Sequence, residues 1–307
     1  MKLLQGRVGL AVRIAITALA VGALVAWIDW HTVGKALRGA DLRWVALGFA
    51  CLVGNSVQQA MRWRGMLGRR DIPPVKFVHF VFVGHFVTLF VPSQVGSDAL
   101  KAVAFGRKHG DVGLNVGVQI AMRLAGLIAL GLFSLTGFAF YFPRLRASLA
   151  GFRLDLPSWT WIAALAVVPP LGACIWLVGR FRHASWLAPL REMAVNPRYL
   201  GESLAWSLAI QFISSLALYA QFHALMPSPD LGMILFFTSI AQVLLLLPLS
   251  VGGVGVREWV LITLFHSIGG MPRDTILAVT LLGYANLMGL AGIGGAWIAF
   301  RSFRSRR

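Results

Sequence analysis

The chain has 307 residues, of which 58% are apolar and 13% charged, with a formal net charge of +17 and a mean hydropathy of +0.74. Soluble domains are about half apolar and about a quarter charged, so this composition excludes a soluble globular domain. It points to an all-α polytopic membrane protein, because hydrocarbon leaves backbone N–H and C=O groups no partner outside a helix.

Lys2, Arg7 and Arg13 precede an apolar run from Ile14 to Ile28, which reads as an uncleaved first helix, roughly Leu10 to Ile28, because more spans follow. A second run, Trp44 to Met61, ends on Arg62, Trp63 and Arg64. Phe77 to Val91 holds only 15 residues, short for a crossing. It breaks at Pro92-Ser-Gln-Val-Gly96, and a short helix then carries Asp98 and Lys101 to Arg107. A long span from Val112 to about Phe142 contains Arg123; Trp159 to Val178 and Leu204 to Met226 follow. Leu231 to Leu247 breaks at Pro248, and Gly252-Gly253-Val254-Gly255 leads into a short helix with Arg257 and Glu258. Thr275 to Phe300 is the last span, before a tail with Arg301, Arg304, Arg306 and Arg307. No intervening loop could hold a soluble domain, so residues 1–307 read as one transmembrane domain.

The basic residues lie in short clusters at the ends of these runs, which argues for anionic lipid headgroups as the counter-charge and against nucleic acid. If each broken segment is a hairpin that enters and leaves on one side, most of the 28 basic residues fall in the cytoplasm. Both termini are then cytoplasmic, and the chain lies in a bacterial-type cytoplasmic membrane as a multi-pass protein. Most of the 11 tryptophans sit at run ends, as an interfacial aromatic belt requires.

The two broken segments align without gaps. Pro92, Val95, Gly96 and Lys101 fall on Pro248, Val251, Gly252 and Arg257, and the same shift of 156 puts Asn55 on Gln211. The expected architecture is two inverted repeats, about 8–142 and about 158–301, each with three spanning helices and one broken re-entrant hairpin. Paired broken helices in inverted halves mark transporters whose site lies between the halves. Pro92, Gly96, Pro248, Gly252, Gly253 and Gly255 are the expected break residues.

Ionisable side chains inside spans are functional candidates. Asn55, Gln58, Gln59 and Arg62 share one helix face, Asn115, Gln119 and Arg123 another, and Gln211, Ser214 and Ser215 begin a third. The amides and serines read as interhelical hydrogen bonds, whereas Arg123 is equally suited to function or to snorkelling toward the interface. Ser97-Asp98 is placed to cap the inner half-helix, and Asp98 can pair with Lys101 at i, i+3. Arg257 and Glu258, as neighbours, must each find another partner. His79 and His85 are wrongly spaced for a metal face, and Cys51 and Cys174 are isolated in apolar runs. No metal, cofactor or catalytic constellation is expected. In the last span, Ala285, Gly289, Gly292 and Gly295 read as small-residue packing positions.

Arg62-Trp63, Pro92 with Gly96-Ser97-Asp98-x-x-Lys101, Arg123-Leu-x-Gly126, and Leu247-Pro248-x-Ser250-x-Gly252-Gly253-x-Gly255-x-Arg257-Glu258 resemble the pattern of the lysylphosphatidylglycerol synthase transmembrane (flippase-like) family. Ser97 and Lys101 are mild departures, since the family's first motif reads Gly-Gly-Asp or Gly-Gly-Glu followed by Arg. Members with synthase activity carry a soluble aminoacyl-transfer domain, and this chain ends at Arg307 without one. The resemblance implies lipid handling rather than aminoacylation. The expected function is a flippase or transporter for an anionic phospholipid or isoprenoid-type lipid. The alternative is a non-catalytic accessory of a lipid-modification or hopanoid-type pathway, partnered with a lipid-modifying enzyme. Arg62, Asp98, Lys101, Arg123, Arg257 and Glu258 are the expected headgroup residues.

Overall fold

The structure is a computed structural model that describes residues 34, 38–88, 94–150, 184–245 and 256–304. The runs Leu10–Ile28 and Trp159–Val178 lie outside the described residues, as do Pro92, Cys174, Pro248, Gly252, Gly253 and Gly255. Among the described residues all regular structure is helical. The order is α1 (Leu42–Leu67), α2 (Pro74–Thr88), α3 (Gln94–His109), α4 (Val112–Ala150), a 3-10 turn (Ser185–Leu187), α5 (Ala188–Val195), α6 (Pro197–His223), α7 (Leu231–Leu245), α8 (Val256–Leu261), a π-helical turn (Ile262–Ile268) and α9 (Arg273–Arg304).

The helix ends follow local chemistry. The Asp41 carboxylate accepts the Arg43 N–H to open α1, and Gly68, with φ 68°, closes it in the left-handed region, where glycine carries no Cβ penalty. Asn196 accepts the Arg198 and Tyr199 N–H groups to open α6, with Pro197 just inside it. Three described helices are long and apolar enough to cross a membrane: Val112–Phe138, Pro197–His223 and Arg273–Phe300. On α4, Leu124, Leu127, Ile128 and Leu135 expose their side chains, while Asn115 and Gln119 turn inward. A helix that exposes leucine and buries amides is patterned for a lipid solvent.

α1 and α6 form the central antiparallel pair. The Asp41 N–H donates to Ala224 O, Gly48 faces Ala217 O, and Asn55 Nδ2 donates to Ile210 O. Arg62 reaches Ser203, and the Tyr199 hydroxyl donates to Met66 O. The partner's number falls by one for each residue gained, so the seam holds its register over the whole length. α2 lies antiparallel on α9, where a Cβ on Gly294 would collide with Phe82 O. α7 lies antiparallel on α4, where Gly137 leaves room for the Phe236 ring. Of the expected small-residue positions, Gly289 meets Phe49 and Gly295 meets Phe86. Gly292 faces open space and Ala285 is exposed, so the face of α9 that packs is rotated toward Gly294.

Two aromatic cores flank the seam. One gathers Trp63, Phe77 and Phe105 from α1, α2 and α3, with ring centroids 4.6–5.5 Å apart. The other gathers Phe222, Phe236, Phe237 and Phe265 from α6, α7 and the π-helical turn. They hold α3 and the α8 region in place at opposite ends of the pair.

Candidate functional site

The central seam is polar at its middle. Asn55 Nδ2 also donates to Ser214 Oγ at 2.6 Å, Gln59 Nε2 donates to Asn55 Oδ1 at 2.7 Å, and Gln211 Nε2 donates to Ser239 Oγ at 3.4 Å. Of the stripes expected to join helices, Asn55, Ser214 and Gln211 do so, whereas Asn115 donates one turn back to Asp111 O and Gln58 Oε1 and Ser215 Oγ have no partner. The ends of the stripes carry the charge.

Arg62 from the end of α1, Asp98 and Lys101 from α3, and Arg123 from α4 converge on a cleft of about 180 Å³. Gln59, Trp63, Val81, Gln119, Met122 and Ile210 complete its lining. Lys101 Nζ lies 2.5 Å from Asp98 Oδ1. Arg123 donates to Asp98 Oδ2 from Nη2 at 2.7 Å and from Nε at 3.2 Å. Asp98 therefore ties two cations together through separate oxygens. Gly84 on α2 makes room for this, since a Cβ there would lie 2.6 Å from Lys101 Cδ.

Arg62 is held differently. It is 5% exposed, and its Nη2 donates to Met122 O at 2.5 Å and to Ser203 Oγ at 3.4 Å. Its Nε has no partner. Both groups that Nη2 reaches are neutral, and the one carboxylate among the described residues lining the cleft already serves Lys101 and Arg123.

Arg257 and Glu258 do not line this cleft. They gather on Tyr284 of α9, whose hydroxyl donates to Glu258 Oε1 at 2.5 Å, while the Arg257 guanidinium lies 5.8 Å from the ring centroid. Neighbours on a helix cannot face each other, and one tyrosine serves both through its two chemistries.

Two local expectations are corrected. Gly96 is not a break, because α3 begins at Gln94 and Gly96 lies in its first turn. For the same reason Ser97 and Asp98 do not cap the helix. Ser97 Oγ accepts from the Thr88 hydroxyl at 2.9 Å, and Asp98 turns to the cations. The imidazole of His85 pairs with Ser56 Oγ at 3.0 Å, and among the described residues no cluster could hold a metal. Sequence reasoning had no signal for Met122 O or Ile210 at the cleft, because backbone acceptors and apolar linings are set by tertiary packing alone.

Apolar helices packed around a few buried charged side chains define an α-helical membrane protein. The chain belongs to the lysylphosphatidylglycerol synthase TM region family, which it matches over residues 10–288. No curated protein and no solved structure matches it.

Proposed function

We propose that the protein is a lipid flippase or transporter, which moves an anionic phospholipid or isoprenoid-type lipid across the cytoplasmic membrane. Arg62, Lys101 and Arg123 attract the headgroup phosphate, and Asp98 keeps the latter two cations in register. Arg257 and Glu258 form a second station in the other half. The observation that carries this reading is a buried Arg62 with an unpartnered Nε, lining a cleft whose described residues hold two further cations and a single carboxylate. Buried cations are costly in a membrane and persist where an anion passes. The family's own name ties this membrane region to an enzyme that makes a phospholipid, one whose headgroup contains a phosphate.

Two inverted repeats are part of the proposal. A shift of 156 carries Leu42–Leu67 onto 198–223 and Pro74–Thr88 onto 230–244, which overlie α6 and α7. It also carries the α2–α9 contact onto the α7–α4 contact, and both pairs pack. The repeat mates α1 and α6 run antiparallel, as an axis in the membrane plane requires. In this topology both termini are cytoplasmic.

The test is translocation of a fluorescent phosphatidylglycerol in proteoliposomes. The wild-type protein accelerates its exchange between leaflets, while Arg62→Gln and Arg123→Gln slow it at least tenfold. A folded wild-type protein that moves neither phosphatidylglycerol nor an isoprenyl phosphate would assign the chain to the accessory class instead. With Cys51 and Cys174 replaced, Gln94→Cys and Gly253→Cys label from opposite sides. Labelling of both from one side refutes the inverted topology.

A further inference from the structure

Resting on the reading of the cleft as a headgroup site, we propose that the headgroup it takes is a phosphomonoester carrying two negative charges, rather than a phosphodiester carrying one. The argument is the charge balance of the lining. Arg62, Lys101 and Arg123 supply three positive charges, and among the described residues lining the cleft Asp98 alone is negative. Two positive charges remain uncompensated. One of them is localised: Asp98 spends one oxygen on Lys101 and the other on Arg123, so Arg62 receives no carboxylate at all. Its Nη2 meets a carbonyl and a hydroxyl oxygen, and its Nε is buried without a partner in a side chain that is 5% exposed overall.

A buried charge without a counter-charge is unfavourable, and a ligand that supplies the missing charge removes that penalty. A phosphodiester supplies one negative charge and leaves one cation unbalanced. A phosphomonoester, whose second pKa is about 6, is mostly a dianion at pH 8 and balances the cleft. It also presents three terminal oxygens where a diester has two. That allows one oxygen for the Arg62 fork and others for Lys101 and Arg123, in the charge-assisted geometry that guanidinium favours. Gln119, 9% exposed and lining the same cleft, adds a neutral amide.

The test uses the full chain in detergent at pH 8 and a matched pair of probes: dioctanoyl phosphatidate, and dioctanoyl phosphatidylmethanol, which differs by one methyl ester and one charge. Phosphatidate is expected to bind on the order of tenfold more tightly or better, one missing charge contact being worth at least that ratio. Arg62→Gln reduces the preference to within about twofold, and Arg62→Lys, which keeps the charge, retains most of it. If Arg62→Gln does not fold, the more exposed Arg123→Gln makes the same comparison. Equal affinity for the two probes in the wild-type protein overturns the two-charge inference and leaves the anionic-lipid reading standing. Binding of neither probe overturns both. Inorganic phosphate is the third probe: if it binds as tightly as phosphatidate, the site belongs to a soluble phosphate and the lipid reading falls.

Discussion

Asp98→Asn keeps the side-chain shape and removes its charge, which isolates what the carboxylate does. Lys101 Nζ and Arg123 Nη2 lie 2.5 and 2.7 Å from its two oxygens. With charge centres about 4 Å apart and an effective dielectric constant of about 20, each pair attracts by about 4 kcal/mol. Desolvation offsets much of this, and neutralising one partner of a buried pair costs about 3–5 kcal/mol. At about 2–4 °C per kcal/mol, the melting temperature followed by tryptophan fluorescence in detergent falls on the order of 10 °C. Binding moves the other way. With three cations and no carboxylate, the cleft holds an anion more tightly, so the Kd for phosphatidate drops even as the protein weakens. Lys101→Gln added to Asp98→Asn restores the charge balance and recovers part of the lost stability. The reasoning is refuted by a melting temperature within about 1 °C of wild type, since a mostly buried carboxylate with two cations cannot be silent. It is refuted equally by weaker phosphatidate binding, which would show that the register Asp98 imposes on Lys101 and Arg123 outweighs its opposing charge.

Gly84→Ala puts a methyl group 2.6 Å from Lys101 Cδ; it shifts Lys101 off Asp98 and lowers lipid translocation several-fold, with a loss of about 1–3 kcal/mol in stability from overpacking. Asn55→Ala removes the donations to Ile210 O and Ser214 Oγ, and costs about 1–2 kcal/mol in a detergent melt with phosphatidate affinity unchanged. Asp111 precedes α4, and its carboxylate accepts the Leu114 N–H at 3.1 Å. That bond, helped by Ser185, holds the carboxyl below the usual carboxylate range. Its stabilisation is therefore complete above the unfolded-state pKa of about 3.9 and is lost as pH falls through the lower folded value. Asp111→Asn flattens the fall of melting temperature below about pH 4, and Asp111→Ala costs about 1 kcal/mol at neutral pH.

Much of this site was legible residue by residue, and its assembly was not. The i, i+3 spacing of Asp98 and Lys101 foretold their ion pair, and the stripes ending in Arg62 and Arg123 foretold which faces turn inward. That Arg123 would find Asp98 depends on how α3 lies against α4, which spacing within one helix cannot encode. Gly96 misled because a glycine after a proline looks like a stop, yet the first turn of a helix tolerates it, since glycine's cost is lower where the backbone N–H groups are not yet paired. The π-helical turn at Ile262–Ile268 had no signal either: its wide register shows only in bonds such as Leu264 O accepting from Gly269 N. Packing position was equally opaque in α9, where a run of small residues offers several faces and only the approach of Phe82 to Gly294 selects one.

Under the proposed repeat, the same shift of 156 sets Leu218 in the place of Arg62, Val254 in that of Asp98, Arg257 in that of Lys101 and Val279 in that of Arg123. The second half keeps one cation of the four charged positions. Arg257 has no carboxylate three residues before it and lies over the Tyr284 ring instead, while the Tyr284 hydroxyl engages Glu258. Two equivalent scaffolds thus carry unequal chemistry. In the proposed topology the charged cleft lies on the cytoplasmic side of the Asn55–Gln211 seam, because α1 runs inward past Asn55 to reach Arg62. An anion then binds tightly when the cleft opens inward and meets a weaker station on the way out. Such asymmetry fixes where the loaded protein rests, yet it cannot by itself drive lipid in either direction, since a catalyst leaves the equilibrium between leaflets unchanged. Net movement requires a membrane potential acting on the headgroup charge or a reaction that consumes the lipid on the far side. Under the proposed function, the protein's own contribution is to lower the barrier for a charge that hydrocarbon would otherwise exclude.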